Sequence, residues 1–232
     1  MECIILAGGL GTRLKDILPD IPKPLAPING IPFLDLLIKQ VSAFKAIDKI
    51  ILAIGYKADA IIKHIEEKTW SLPIEFSQEE TPLGTGGALK KALKLCKQDT
   101  VLALNGDSYL ALDFDSFLKH HVKNHADITL AYTETDNASR YGQIMIDSTS
   151  QRILAFHEKD AKISKGFING GIYLMRKNIF DRLSLPDSFS IEKDAFVKFL
   201  KYNFLGFFCS GTFIDIGTKE SYLKGQTILK KI

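Results

Sequence analysis

The sequence has few of the residues that mark several large protein classes. It holds three cysteines, Cys3, Cys96 and Cys209, far apart and each in an apolar setting. An odd number at such spacing supplies neither a zinc pattern nor a disulfide framework, so buried thiols are expected. No apolar stretch reaches the length of a membrane span, and Met1-Glu2-Cys3-Ile4 does not open a signal-like segment. Both absences point to a cytoplasmic protein that makes no use of a membrane. The net charge is only +3, with no basic tract interleaved with aromatics, which argues against nucleic acid as a partner. Linkers, low-complexity tracts and internal repeats are missing as well. What remains, 46% hydrophobic and 25% charged in 232 residues, is the composition of one large globular α/β domain spanning 1–232.

Several catalytic patterns are also absent. No serine sits in a nucleophile elbow and no Cys–His pair is identifiable, so covalent hydrolase chemistry has no support. His121-Val122-Lys123-Asn124-His125 could set two imidazoles on one helix face, but no glutamate follows His121 and no third ligand is evident. A solvated helix face is the expected reading there. Asp113 and Asp115 stand before a helix start and are expected to serve as caps rather than metal ligands. The dinucleotide fingerprint fails because Gly9-x-Gly11 runs into Leu14, and no Walker loop is present, including at Gly84-Thr85-Gly86-Gly87.

Against these absences stands the stretch Leu6-Ala7-Gly8-Gly9-Leu10-Gly11-Thr12-Arg13. A β-branched apolar run, Cys3 to Leu6, stops abruptly in glycines, whose backbone N–H groups approach an anion without interference from a Cβ. Arg13 and, after a short loop, Lys23 in Pro22-Lys23-Pro24-Leu25 add a guanidinium fork and an ammonium, a combination suited to a nucleoside triphosphate. Apolar runs at 2–7, 48–54 and 100–105 read as buried parallel strands, with helical spacing at 32–46, 58–68 and 85–97 between them. This alternation predicts a Rossmann-like doubly wound sheet with ligands at the C-terminal strand ends. The second half reads as strands near 127–134, 142–147, 151–157, 166–175, 204–209 and 212–216, making the sheet mixed, with helices at 115–125, 190–201 and 218–230.

Asp107 follows a buried strand in Asn105-Gly106-Asp107, and Asp215 lies in Phe213-Ile214-Asp215-Ile216-Gly217. A carboxylate in such surroundings must be paired, hydrogen-bonded or metal-bound. Together, one from each half, they could hold Mg²⁺ over a triphosphate. The second glycine cluster, Glu79 through Pro82, Gly84, Thr85 and Gly87, would lie beside the first loop and admit a flat base or ribose. A carboxylate at Glu79 matches the adjacent N1–H and N2–H₂ donors of guanine, and equally suits a helix N-terminus. In the second half, Glu158 and Asn169 (followed by Gly170) can bridge vicinal hydroxyls, Lys159 can neutralise a phosphate, and Tyr141-Gly142 interrupts a strand-like run.

Taken in order, these segments resemble the sugar-1-phosphate nucleotidyltransferase family across nearly the whole chain: Gly8–Leu14 with Lys23, Pro82–Leu89, Asn105-Gly106-Asp107, Arg140-Tyr141-Gly142, Phe156-His157-Glu158-Lys159, Asn169-Gly170-Gly171-Ile172-Tyr173 and Asp215-Ile216-Gly217-Thr218. The resemblance implies that Arg13 binds the β,γ-phosphates and Lys23 the α-phosphate. It also implies that Asp107 and Asp215 hold Mg²⁺, that Glu158 and Asn169 hold the sugar, and that Lys159 holds its phosphate. Within the family the Leu18–Pro27 run and the Ile31-Pro32-Phe33-Leu34 start look most like bacterial D-glycero-α-D-manno-heptose 1-phosphate guanylyltransferases. The Glu79–Thr85 block resembles that of GDP-mannose pyrophosphorylases and favours GTP. The implied partners are GTP and a sugar 1-phosphate for surface-polysaccharide synthesis, with a homodimer left open. A nucleotide-binding half (1–110) and a sugar-phosphate half (111–232) are expected, without the C-terminal β-helix of some relatives. Uridylyl, thymidylyl or cytidylyl transfer to another sugar phosphate stays open, as does a non-catalytic nucleotide-sugar sensor. Lys219 departs from the proline that many members carry after Asp-Ile-Gly-Thr.

Overall fold

The fold is described from a computed structural model, for residues 1–14, 17–157 and 164–229. In chain order the first half contains β1 (Glu2–Leu6), a hairpin of β2 (Pro27–Ile28) and β3 (Ile31–Pro32), α1 (Phe33–Ser42), β4 (Lys49–Ile54), α2 (Ala58–Glu66), β5 (Ile74–Gln78), α3 (Gly84–Leu93) and β6 (Thr100–Asn105). The second half contains β7 (Ser108–Leu110), α4 (Phe114–Lys123), β8 (Ile128–Thr135), β9 (Gln143–Ile146), β10 (Ile153–His157) and β11 (Gly166–Arg176). A π-helical turn at Ile191–Phe196 then runs into α5 (Val197–Phe199), followed by β12 (Phe204–Phe208), β13 (Phe213–Asp215) and α6 (Lys219–Ile228).

Seven strands form one mixed sheet in the order β12-β8-β11-β6-β1-β4-β5. β6, β1, β4 and β5 run parallel, while β11 is antiparallel to both β6 and β8. A parallel strand covered on both faces must be apolar at successive positions, which explains the unbroken Cys3-Ile4-Ile5 run. Cys3 and Ile5 enter the core on the α1 and α4 side with Phe33, Leu37 and Phe117, whereas Ile4 faces Leu89, Tyr173 and Phe196 on the other. All three β1 residues are fully buried.

The buried, free cysteines agree with the sequence. Burial pushes the thiols of Cys96 and Cys209 up to about 12, so neither is a ready nucleophile. Asp113 caps α4, accepting from the backbone N–H of Ser116 at 3.1 Å and from its hydroxyl at 2.7 Å. Asp115 is exposed in the first turn of that helix, where the dipole favours it. Among the described residues, no helix is long and apolar enough to cross a membrane.

Two expectations need correction. The helix expected at 190–201 begins in π register, and α5 supplies only its last turn. Ser190 accepts from the Lys193 N–H at 3.2 Å, and its own N–H donates to Asp194 Oδ2 at 2.7 Å. Ile191 N–H is drawn out to Thr85 Oγ1 at 3.0 Å. His121 is not on a solvated face. It is buried, with Nδ1 2.8 Å from the Thr129 hydroxyl, while His125 lies beyond the helix end and is exposed.

Burial, with smaller repulsion from Arg176, pushes His121 down to about 4 from its ordinary 6.5. The unfolded chain therefore takes up a proton on His121 between those pH values when the folded chain does not. This contribution to stability is complete above pH 6.5 and is lost as the pH falls towards about 4. Urea unfolding across this window should show stability falling with acidity, and His121→Gln should flatten the slope. An unchanged slope in the variant would remove His121 from the account.

Candidate active site

The C-terminal ends of β1, β4 and β6 open into a cleft of about 590 Å³ shared by both halves of the chain. Ala7 N–H donates to Ala53 O at 2.7 Å, holding the glycine loop over β4 as it leaves β1. Gly106 lies so close to β1 that a Cβ there would meet Leu6 O at 2.4 Å, while its N–H donates to that oxygen at 3.0 Å. Glycine at 106 thus draws Asn105 and Asp107 against the first loop. Gly11 has φ +60°, and a Cβ on it would stand 3.0 Å from Lys23 Cβ. The loop returns against Lys23 at this point.

Lys23 is largely buried and forms an ion pair with Asp107 Oδ2, while Asp107 Oδ1 accepts from the Ser108 hydroxyl at 3.1 Å. β13 pairs with β7 so that Asp215 stands opposite Ser108, and Ile216 N–H donates to Asp107 O at 2.9 Å. The backbone segments that carry the two carboxylates are therefore neighbours. Asp215 is buried and accepts on Oδ1 from Arg140 Nη2 at 2.7 Å and Gly217 N–H at 2.6 Å. Its Oδ2 accepts from the Tyr141 hydroxyl. Burial first, and this hydrogen bond second, push the Tyr141 hydroxyl far above its ordinary range, so it remains a donor. Arg140 also donates to Ser221 Oγ at 2.8 Å and lies over the Tyr141 ring.

Mg²⁺ usually takes one or two carboxylates and completes its shell with water and substrate phosphates. Among the described residues, no group of three or more His, Cys, Asp or Glu side chains could hold a metal. Two carboxylates lining the same cleft as the glycine loop fit an ion that arrives with a polyphosphate, and do not fit a structural metal.

Leu6, Ala7, Gly8, Gly9, Gly11, Arg13 and Lys23 line the cleft from the first loop, and Glu79, Pro82, Gly84 and Thr85 from the second. Asn105, Asp107, Tyr141, Asn169 and Asp215 complete the expected set that the structure brings together. Glu79 rests against Gly8 and Gly55. Its Oε1 would be 2.5 Å from a Cβ at Gly55, and its Oε2 accepts from the Leu83 N–H at 3.1 Å. It thus satisfies a donor ahead of α3 and faces the cleft at once. Burial raises its carboxyl above the usual range, an effect the Leu83 N–H opposes.

The second glycine cluster is used differently from expectation. Cβ atoms at Gly84, Gly86 and Gly87 would meet Phe189 O at 2.6 Å, the Phe189 ring at 2.1 Å and Asp187 O at 2.3 Å. The close approach belongs to the chain's own 187–191 segment, and Gly87 does not line the cleft. Gly142 and Gly170 do not line it either. Gly142 has φ +83°, and Gly170 packs against Leu110 and Ala131 at a bulge in β11. Glu158 and Lys159 fall outside the described residues, as does the Thr12 side chain.

Sequence reasoning gave no role to Arg140 and passed over Ser108 and Glu192, all of which line the cleft. Arg140 stood in a quoted motif without a task. Glu192 had no local signal, since Ser190-Ile191-Glu192-Lys193-Asp194 reads as an ordinary helix start.

A family model described as nucleotidyl transferase matches residues 2–231. The chain belongs to the nucleotidyl transferase family. This nucleotidyl transferase is 39% identical over 231 residues to D-glycero-alpha-D-manno-heptose 1-phosphate guanylyltransferase of Aneurinibacillus thermoaerophilus, covering 99% of each chain. It is 40% identical to the protein of the same name from Campylobacter jejuni, covering 96% of this chain and 97% of the relative. The crystal structure of HddC from Yersinia pseudotuberculosis superposes with a TM-score of 0.86 at 37% identity, covering 97% and 98% of the two chains. A second structure of that protein, in complex with GMP-PN, has a TM-score of 0.85.

A methyl group on Gly9 would meet nothing within 4 Å, unlike one on Gly8, which would lie 3.1 Å from Glu79 Oε1. Gly9→Ala should therefore keep its urea-unfolding stability within about 0.5 kcal/mol of the parent. If a triphosphate lies on this loop, the same change should weaken binding of a non-hydrolysable GTP analogue by about tenfold, measured by calorimetry. Unchanged affinity would remove the loop from the phosphate site.

Proposed function

We propose that this chain transfers GMP from GTP to D-glycero-α-D-manno-heptose 1-phosphate, giving GDP-heptose and pyrophosphate for surface-polysaccharide synthesis in the cytoplasm. The observation that carries the base and the sugar is the near full-length likeness, at 39% and 40% identity, to two heptose 1-phosphate guanylyltransferases. The cleft supports the reaction class. Residues 1–110 form the nucleotide-binding half of one domain on this reading, and 111–232 the sugar-phosphate half.

The reaction is an in-line displacement. A phosphate oxygen of the sugar phosphate forms a bond to the α-phosphorus of GTP, and the bond from that phosphorus to the oxygen bridging to the β-phosphorus breaks. Pyrophosphate departs with the bonding electrons. The nucleophile is already anionic near neutral pH, so no side chain has to remove a proton. The task of the residues is to orient two anions and offset their repulsion. Lys23, beside Asp107 at the loop's return, is assigned to the α-phosphate, and Arg13 to the β,γ-phosphates. Lys159 is assigned to the sugar phosphate. Asp107 and Asp215 would hold a divalent ion, read here as Mg²⁺, which when bound would neutralise charge on the triphosphate. Glu79 is the acceptor assigned to the guanine edge.

Pyrophosphate release with Mg²⁺, measured across GTP, UTP, dTTP, CTP and ATP with heptose and mannose 1-phosphates, tests the assignment. Release only with GTP and heptose 1-phosphate is expected. Release with another nucleotide, or only with mannose 1-phosphate, would keep the reaction class and overturn the specificity. Lys23→Ala should lower turnover by about a hundredfold or more while the circular dichroism spectrum is preserved. A folded variant with near-normal turnover would sink the role of Lys23.

A further inference from the structure

Arg140 has no task in the reaction as assigned above, although it lines the cleft. A guanidinium carries five N–H donors on three nitrogens. Nη2 uses both of its donors inside the protein, on Asp215 Oδ1 at 2.7 Å and on Ser221 Oγ at 2.8 Å. Nε and Nη1 have no hydrogen-bond partner among the described residues, and neither is buried away from solvent. A cation at the cleft wall thus keeps three donors for something else.

The orientation of that guanidinium is set by its neighbours. Asp215 is buried between Arg140 and the Tyr141 hydroxyl, and Arg140 Cζ lies 5.0 Å from the centroid of the Tyr141 ring. Ser221, buried in the first turn of α6, accepts the other Nη2 donor. A Cβ at Gly217 would stand 2.6 Å from Asp215 Oδ1 and 3.7 Å from Arg140 Nη2, so no side chain covers the pair where Gly217 forms the cleft wall. A counter-ion for one buried carboxylate needs a single charged nitrogen. A guanidinium held by one nitrogen, with the other two open, is prepared for an oxyanion, because its ordering cost is met before the ligand arrives.

The chain's path selects between the two anions. Arg140 ends the 138–140 turn of the second half and is not on the loop of Gly8–Arg13. It leads through Tyr141-Gly142 into β9, whose first residue, Gln143, stands opposite His157, the last of β10. Arg140 therefore precedes the end of this ribbon from which the sequence continues to Lys159, the residue assigned to the sugar phosphate.

Resting on the sugar-phosphate reading above, we infer that Arg140 binds the phosphate of the acceptor sugar with the donors left on Nη1 and Nε. Asp215 and Ser221 hold the guanidinium for that contact.

The test is the inhibition constant of inorganic phosphate competing with heptose 1-phosphate at saturating GTP, where the nucleotide's own phosphate sites are filled. Arg140→Ala would strand Asp215, so the variant is Arg140→Lys. Its ammonium can stay beside Asp215, but one nitrogen cannot hold Asp215 and extend a second one to a phosphate. The inhibition constant of phosphate and the KM for heptose 1-phosphate should both rise by about tenfold or more. The KM for GTP, the Mg²⁺ concentration for half-maximal rate and the melting temperature should hold. An unchanged inhibition constant would overturn the assignment. A change confined to the GTP and Mg²⁺ dependences would leave Arg140 only the task of holding Asp215, and would overturn it as well. Weaker product inhibition by pyrophosphate, with inorganic phosphate unaffected, would move the contact to the nucleotide. Failure of the parent to release pyrophosphate with any sugar 1-phosphate, while it binds GTP, would instead sink the underlying reading and the assignment with it.

Discussion

Two carboxylates, Asp107 and Asp215, line one cleft, and each stands beside its own cation. The burden is not equal. The Asp215 side chain is 11% exposed and that of its partner Arg140 22%, so removing the arginine would strand a buried charge at a cost of about 3–5 kcal/mol. The Asp107 side chain is 42% exposed and that of Lys23 14%, so solvent screens the carboxylate of this pair more than the ammonium. The Arg140–Asp215 pair, to which Ser221 adds a second bond from Arg140, therefore ties the end of β13 to the segment that carries Arg140. Much of the local backbone serves this arrangement, from Gly11, which admits Lys23, to Gly106, which brings Asp107 against β1.

The second organising contact is the strap formed by residues 187–191. Phe189 donates to Leu83 O and accepts from Gly86 and Gly87, while Ile191 reaches Thr85. Two donors in the first turn of α3, the Gly86 and Gly87 N–H groups, are thus met by Phe189 O. The glycines of that turn are needed because a backbone and an aromatic ring lie where their side chains would be. The strap brings the second half of the chain onto the loop that carries Glu79, Pro82 and Thr85.

Most of the architecture was legible because parallel strands buried on both faces announce themselves as apolar runs. The expected strands at 48–54 and 100–105 appear at Lys49–Ile54 and Thr100–Asn105. The glycine loop, Lys23, Asp107 and Asp215 were legible for a related reason, since charge or glycine at the end of a buried strand is conspicuous. What escaped depends on distant partners. Nothing near Gly86 announces Phe189, and helical periodicity does not separate π from α register at Ile191–Phe196. The burial of His121 depends on Thr129 in the next strand. The hairpin at Asn29-Gly30, with φ of 51° and 83°, had a local signal that went unread, since Asn-Gly is the favoured pair for a type I′ turn.

The bond from Ile191 to Thr85 has a bearing on how such enzymes diversify. It ties the loop that carries Glu79 and Thr85 to the turn that carries Glu192. A chimera that took residues 79–89 from one relative and 187–192 from another would have to refit Phe189 against new glycine positions and find a new partner for the Ile191 N–H. The two segments are therefore not independent modules, and a lineage that changes one must renegotiate the seam it shares with the other.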